Sequence, residues 1–131
     1  MSTLTKVGTP SPSTLLIPAN CKLTGLVAGE AIAAGDACYI KSDGKIWKAT
    51  GTAANAAAQV DGFAAEAASV GEAVTLVWDV NLRYGSGMTP GAKYYLSATA
   101  GALDDAATTG GTAWIAKAID ATRLWVKKSA Y

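Results

Sequence analysis

The chain has 131 residues, 11 basic and 10 acidic, with a formal net charge of +1 and no histidine. That length suits one domain with a real core. The charge balance gives no electrostatic footprint for nucleic acid. The missing imidazole excludes Ser-His-Asp and Cys-His catalysis, and two cysteines cannot fill a zinc shell.

Hydrophobic residues make up 50% of the chain, but 28 residues are alanine and only 16% are charged. So little surface charge does little to hold copies apart, which points toward assembly. Residues 1–14 lack a basic stretch followed by an apolar core, and Leu15-Leu16-Ile17 is far too short for a membrane span. The expectation is a product made in a cytoplasm, with no membrane partner. Cys21 and Cys38 are then small buried thiols.

Residues 1–14 read as an extended arm. Pro10 and Pro12 remove two backbone donors and bias their predecessors toward extended backbone. The segment has too little apolar mass to fold on itself, and is expected either to order by lying across a neighbour, anchored by Leu4 and Val7, or to be a disordered terminus with no role. The globular part is expected over residues 15–131. Leu15-Leu16-Ile17 reads as a short strand ended by Pro18, and Lys22 to Val27 as a strand with partial alternation. Residues 29–36 form a turn-strand-turn unit. Ala37 to Lys41 and Lys45 to Ala49 flank Ser42-Asp43-Gly44, a hairpin signal because Asp-Gly supplies the positive φ that tight turns need. Residues 50–59 fit a single helical turn or a loop. Strands follow at Val60 to Ala68 and Ala73 to Val80, then a turn-rich stretch from Asn81 to Pro90. The last strands fall at Thr112 to Ala118 and Arg123 to Lys128.

Two halves of this series match in order. Gly35-Asp36-Ala37-Cys38-Tyr39-Ile40 resembles Gly91-Ala92-Lys93-Tyr94-Tyr95-Leu96. Each copy runs into a turn at Gly44 or Gly101. A second apolar segment follows at Val60 to Ala64 or Trp114 to Ala118, and a strand at Ala73 to Trp78 or Arg123 to Val126. This is either a duplicated β-module or the self-resemblance that turn-rich β-chains readily show. The fold expected is all-β: a small barrel or sandwich of about eight to ten short antiparallel strands. No helix long enough for βαβ crossovers separates them.

No catalytic constellation is present, and no cofactor, metal or enzymatic activity is expected. Asp104-Asp105 could contribute to a weak Ca²⁺ site, but reads better as a solvated turn bonding its own backbone. Gly85-Ser86-Gly87 lacks a phosphate-binding continuation and is a loop. Trp47, Trp78, Trp114 and Trp125, with Tyr39, Tyr94 and Tyr95, fall in or beside strands. They suit core packing and subunit contacts better than a stacking platform, since basic residues interleaved with the rings are sparse.

The run from Gly35 to Ile40, the Asp43-Gly44 hairpin, and Thr89-Pro90-Gly91-Ala92-Lys93-Tyr94-Tyr95-Leu96-Ser97 followed by Ala100-Gly101-Ala102-Leu103 resemble tailed-phage virion proteins. The likeness is to small capsid decoration (cement) proteins and related head-fibre and tail-fibre β-domains. It covers most of residues 25–128. The chain lacks the long helix of some decoration folds. The resemblance implies a non-enzymatic protein of the capsid surface, a homo-oligomer with a trimer favoured, whose partner is the major capsid protein. It also implies that the arm reaches along neighbouring capsid subunits, with Leu4, Val7, Pro10, Pro12, Leu15, Leu16 and Ile17 as contact residues. The alternative it implies is a receptor- or glycan-binding module of a phage fibre that uses exposed tryptophans.

Overall fold

The computed structural model describes residues 3–12, 19–53 and 55–129. Eleven strands are present among them: β1 (Ser11–Pro12), β2 (Lys22–Val27), β3 (Ala37–Ile40), β4 (Ile46–Lys48), β5 (Gly62–Ala64), β6 (Ala73–Val77), β7 (Val80–Arg83), β8 (Lys93–Leu96), β9 (Leu103–Asp104), β10 (Trp114–Ala118) and β11 (Arg123–Val126). All named pairings are antiparallel, in a six-stranded and a five-stranded sheet. The architecture is a sandwich, not a closed barrel, and has one strand more than the upper end of the expected range. The only helical structure described is two 3-10 turns, Ala19–Cys21 and Ala56–Ala58. The second is capped by the Asn55 side chain, which accepts from Ala57 N–H at 3.0 Å.

The two matching halves of the sequence fold with one strand order. The five-stranded sheet runs β2-β6-β5-β3-β4, and five strands of the other run β7-β11-β10-β8-β9. Each module is thus five consecutive strands, placed first, fifth, fourth, second, third. The hydrogen bonds at the module entries repeat as well. Gly35 N–H donates to Ala64 C=O at 2.7 Å and Ala64 N–H to Asp36 C=O at 2.9 Å. Gly91 N–H donates to Ala118 C=O at 2.7 Å and Ala118 N–H to Ala92 C=O at 2.8 Å. Gly35 and Gly91 make this turn with φ of 81° and 88°, a region that favours glycine.

Two boundaries differ from the sequence reading. The strand expected over Val60 to Ala68 shrinks to three residues, because Ala68 instead bridges Ile32 in the loops over the sheet's outer side. The strand expected over Ala73 to Val80 is two strands. At Trp78-Asp79 the chain leaves one sheet for the other, with Asp79 at φ 55°. Val80 to Arg83 then opens the second module, where a turn-rich stretch was expected.

The modules stack in the same sense, front to back. A cross-strand row on the first sheet, Ala37–Phe63–Val77, is buried. It joins one cluster with Leu82, Leu96, Leu103, Leu124 and Val126 of the second sheet. The first sheet's other side has its own small core of Ala28, Ile32, Cys38, Ile46, Ala64, Ala68, Val74 and Leu76. The row equivalent to Ala37–Phe63–Val77 in the second module is Lys93–Lys117–Trp125, and it faces outward.

The N-terminal segment is extended as expected, but it lies on its own domain. Leu4 N–H donates to Leu103 C=O at 2.8 Å and Val7 N–H to Tyr84 C=O at 2.9 Å, and β1 pairs with β7. Pro10 is buried against Gly35, where an added Cβ would lie 2.7 Å from the Pro10 ring. The Lys6 ammonium pairs with Asp36, whose other oxygen accepts from Ala33 N–H at 2.9 Å. A segment that cannot fold alone is here ordered by a sheet edge and a buried carboxylate.

Three expectations follow. Phe63→Ala should cost about 3–5 kcal/mol, while Lys117→Ala at the equivalent outward position should stay within about 0.5 kcal/mol of wild type in urea unfolding. Deleting residues 2–12 should lower the melting temperature by several degrees, since it strips a sheet edge and leaves Asp36 buried without its cation. An unchanged melting temperature would show that the segment is not part of the fold. Tyr84 is fully buried and its hydroxyl has no hydrogen-bond partner among the described residues. Tyr84→Phe should therefore raise stability by about 1 kcal/mol.

Candidate functional site

The outward side of the six-stranded sheet is the most chemically loaded surface described. Alternation along the strands puts Arg83, Lys93, Tyr95, Lys117, Arg123 and Trp125 on it. The register aligns Asn81, Trp125, Lys117 and Lys93 across four strands, and sets Arg123 opposite Arg83. Trp114 lies beside Trp125, with ring centroids 5.7 Å apart and planes 55° apart. The Lys127 and Lys93 ammoniums lie 3.9 and 5.6 Å from the Trp114 ring centroid, within reach of its electron-rich face. Among the described residues, no carboxylate pairs with Lys93, Lys117 or Lys127.

Asp104, the cross-strand partner of Tyr95, is a buried acid on this face, and Asp120 is an acid at its margin, in the turn between β10 and β11. It accepts from Thr122 N–H at 2.9 Å and Arg123 N–H at 2.8 Å, and pairs with Arg123 Nε at 2.8 Å. The Thr122 backbone bond, then the Arg123 side-chain bond, hold its carboxyl at about 2, below the usual 3.8. A lowered folded-state value stabilises above 3.8 and is lost as pH falls toward about 2. Asp120→Asn should therefore narrow the stability difference between pH 5 and pH 2 in acid titrations followed by circular dichroism.

The residues expected to touch a partner are dispersed. Leu4 is half-buried against the core, Pro10 is buried, and Pro12 lies half-buried in the edge strand β1. Leu4 and Pro10 are spent on the chain's own fold. Val7 stays 53% exposed. Leu15, Leu16 and Ile17 lie outside the described residues. A second apolar surface follows the edge strand β2, where Leu23 and Val27 are 39% and 40% exposed. Val70, in the turn hydrogen-bonded to Ala28, is 66% exposed.

The tryptophans lie at the margins of the cores, Trp47 packed against the larger cluster and Trp78 against the smaller. All four are half-buried, while Phe63, Tyr84, Tyr39 and Tyr94 fill the interior. Lysines that looked scattered in sequence come to the rings in space: Lys41 lies 4.4 Å from Trp47 and Lys128 4.5 Å from Trp78. Of Asp104-Asp105, Asp105 is exposed in a bend with the local backbone bond expected, but Asp104 is not solvated. Asp104 is buried in β9 and accepts from Asp105 N–H at 3.0 Å. No cluster of three or more metal-ligating side chains occurs among the described residues.

Cys21 and Cys38 are both free, Cys21 half-buried and Cys38 buried. Burial, reinforced by Asp36 and Glu30, pushes the Cys38 thiol well above the usual range, which makes it a poor nucleophile. A depression of 390 Å³ lies between the β3–β4 hairpin and the Ala56–Ala58 turn, lined by Tyr39, Ile40, Lys41, Ser42 and Asn55. Its Asn55 oxygen is already engaged as a cap. No described helix is long and apolar enough to cross a membrane.

Comparison with protein-family models, curated proteins and solved structures finds no match.

Proposed function

We propose that this chain is a non-enzymatic structural protein of a tailed-phage virion that binds the outer surface of the assembled capsid and stabilises it. The observation that carries the reading is the edge strand β2. It ends its sheet, and it displays Leu23 and Val27 beside the exposed Val70. Natural sheets protect their edges with charge, proline or a covering element unless the edge is used. Lys22 and a bulge between Leu23 and Leu26, with Gly25 at φ 77°, interrupt this edge, so the apolar side chains of Leu23, Val27 and Val70, more than an added strand, are what it offers another protein. The likeness of residues 25–128 to decoration proteins supplies the partner, the major capsid protein. A homo-oligomer, with a trimer favoured, would engage several capsid subunits at once and gain avidity without new chemistry.

The stabilisation is mass action. A protein that binds the assembled lattice and not free subunits favours the lattice by RT ln(1 + [L]/Kd), about 2.7 kcal/mol at a hundredfold excess over Kd. Because Leu4 and Pro10 are built into the domain, the contact falls to β2, Val7 and Val70 more than to a free arm.

The test is co-sedimentation with expanded capsids lacking the protein, alongside molar mass by light scattering. Saturable binding tied to capsid subunit number, with a raised capsid melting temperature, is expected. Leu23→Lys with Val27→Lys should weaken binding by about tenfold or more while leaving the monomer's melting temperature within a few degrees. Absence of binding by the wild-type chain would overturn the proposal.

A further inference from the structure

The outward face of the second module differs from its equivalent in the first in a way that solubility does not explain. Stacked modules need a polar outer surface on the terminal one. Polarity of either sign serves that need, and mixed charge serves it best. Here the buried row Ala37–Phe63–Val77 is replaced by Lys93–Lys117–Trp125, and Arg83, Arg123 and Lys127 lie on the same face. Five of the chain's 11 basic side chains thus sit on one sheet face of a protein whose net charge is only +1. Two acids belong to this face: Asp120 at its margin, tied to Arg123, and Asp104, the buried cross-strand partner of Tyr95. The same face carries three half-exposed aromatic rings, Tyr95, Trp114 and Trp125.

We propose that this face binds a carboxylate-bearing polysaccharide. The cations call for an anionic ligand, and the rings decide which. Trp114 and Trp125 meet at 55°, so they offer no parallel pair of faces for stacked flat bases. Trp114 already carries two lysine ammoniums, so its ring serves to place cations as well as to make contact. Tilted indole faces suit the C–H surface of pyranose rings, which are not planar. Lys93 and Lys117 are cross-strand partners on adjacent strands, so their ammoniums can meet separate carboxylates of one extended polysaccharide chain. The low net charge of the whole chain points the same way. This surface is separate from the β2 edge, so it can work whether or not that edge meets a capsid.

The experiment is a titration of the full chain with polygalacturonate at low salt, read by tryptophan fluorescence and calorimetry. Neutral dextran and a thymidine oligonucleotide serve as comparison ligands. Saturable polygalacturonate binding that weakens as salt is added is expected, with neither comparison ligand binding as well. Lys93→Gln combined with Lys117→Gln should reduce affinity by about tenfold or more at unchanged melting temperature, from the loss of two charge-assisted contacts. Lys22→Gln with Lys45→Gln, on the other sheet, should leave affinity unchanged. Any of four results would overturn the proposal: no polygalacturonate binding by the wild-type chain, equal binding by the Lys93/Lys117 variant, equal binding of dextran, or tighter binding of the oligonucleotide.

Discussion

Phe63 lies where the two sheets meet. With Ala37 and Val77 it forms the row that closes the first module against the second. The larger of the two buried clusters forms at this contact and draws on both sheets, whereas the smaller one belongs to the first sheet alone. The Trp78-Asp79 crossing then has only to bring the sheets together: Trp78 N–H donates to Cys21 C=O at 3.1 Å and Asp79 N–H to Val126 C=O at 2.6 Å. The N-terminal segment locks the same region from outside. Lys6 neutralises Asp36 beside the Gly35 turn, and Gly101 approaches so closely that a Cβ there would lie 2.9 Å from the Asp36 carboxyl carbon. One buried carboxylate therefore ties the N-terminal segment, the entry of the first module and a turn of the second.

Front-to-back stacking has a consequence for function. Two sheets related by a twofold axis would bury the same face of each. Two sheets stacked in the same sense leave one front open. In this chain the open front belongs to the second module, and its composition has moved from alanine, phenylalanine and valine to lysine and tryptophan. The first module keeps the opposite role: its outer side is sealed by the Ile32 and Ala68 loops, and its exposed apolar residues gather at β2 and Val70. Two sheets of one strand order thus carry two different surfaces, one apolar at an edge and one basic and aromatic across a face.

Much of the fold is legible in the sequence because its signals are local. Asp43-Gly44 marks the first hairpin, and the all-β class and the order of matching segments follow from turn glycines and apolar runs. The first strand of the second module was not legible. Val80 to Arg83 continues an apolar stretch through Trp78-Asp79, and an aspartate with positive φ is not a usual break signal. The destination of the N-terminal segment was hidden for a different reason: Pro10 and Pro12 specify extended backbone, but the Lys6–Asp36 pair that places it spans 30 residues. The basic face was invisible because its cations, from Arg83 to Lys127, are spread along the chain and converge only through strand register.

The most direct measurement is an electron cryomicroscopy difference map between native particles and particles lacking this 13.2 kDa chain. If the chain is a decoration protein, difference density for a two-sheet sandwich is expected at symmetry-related sites on the outer capsid surface, with β2 and Val70 facing the shell. Density confined to a fibre, or none on the capsid exterior, would contradict that reading.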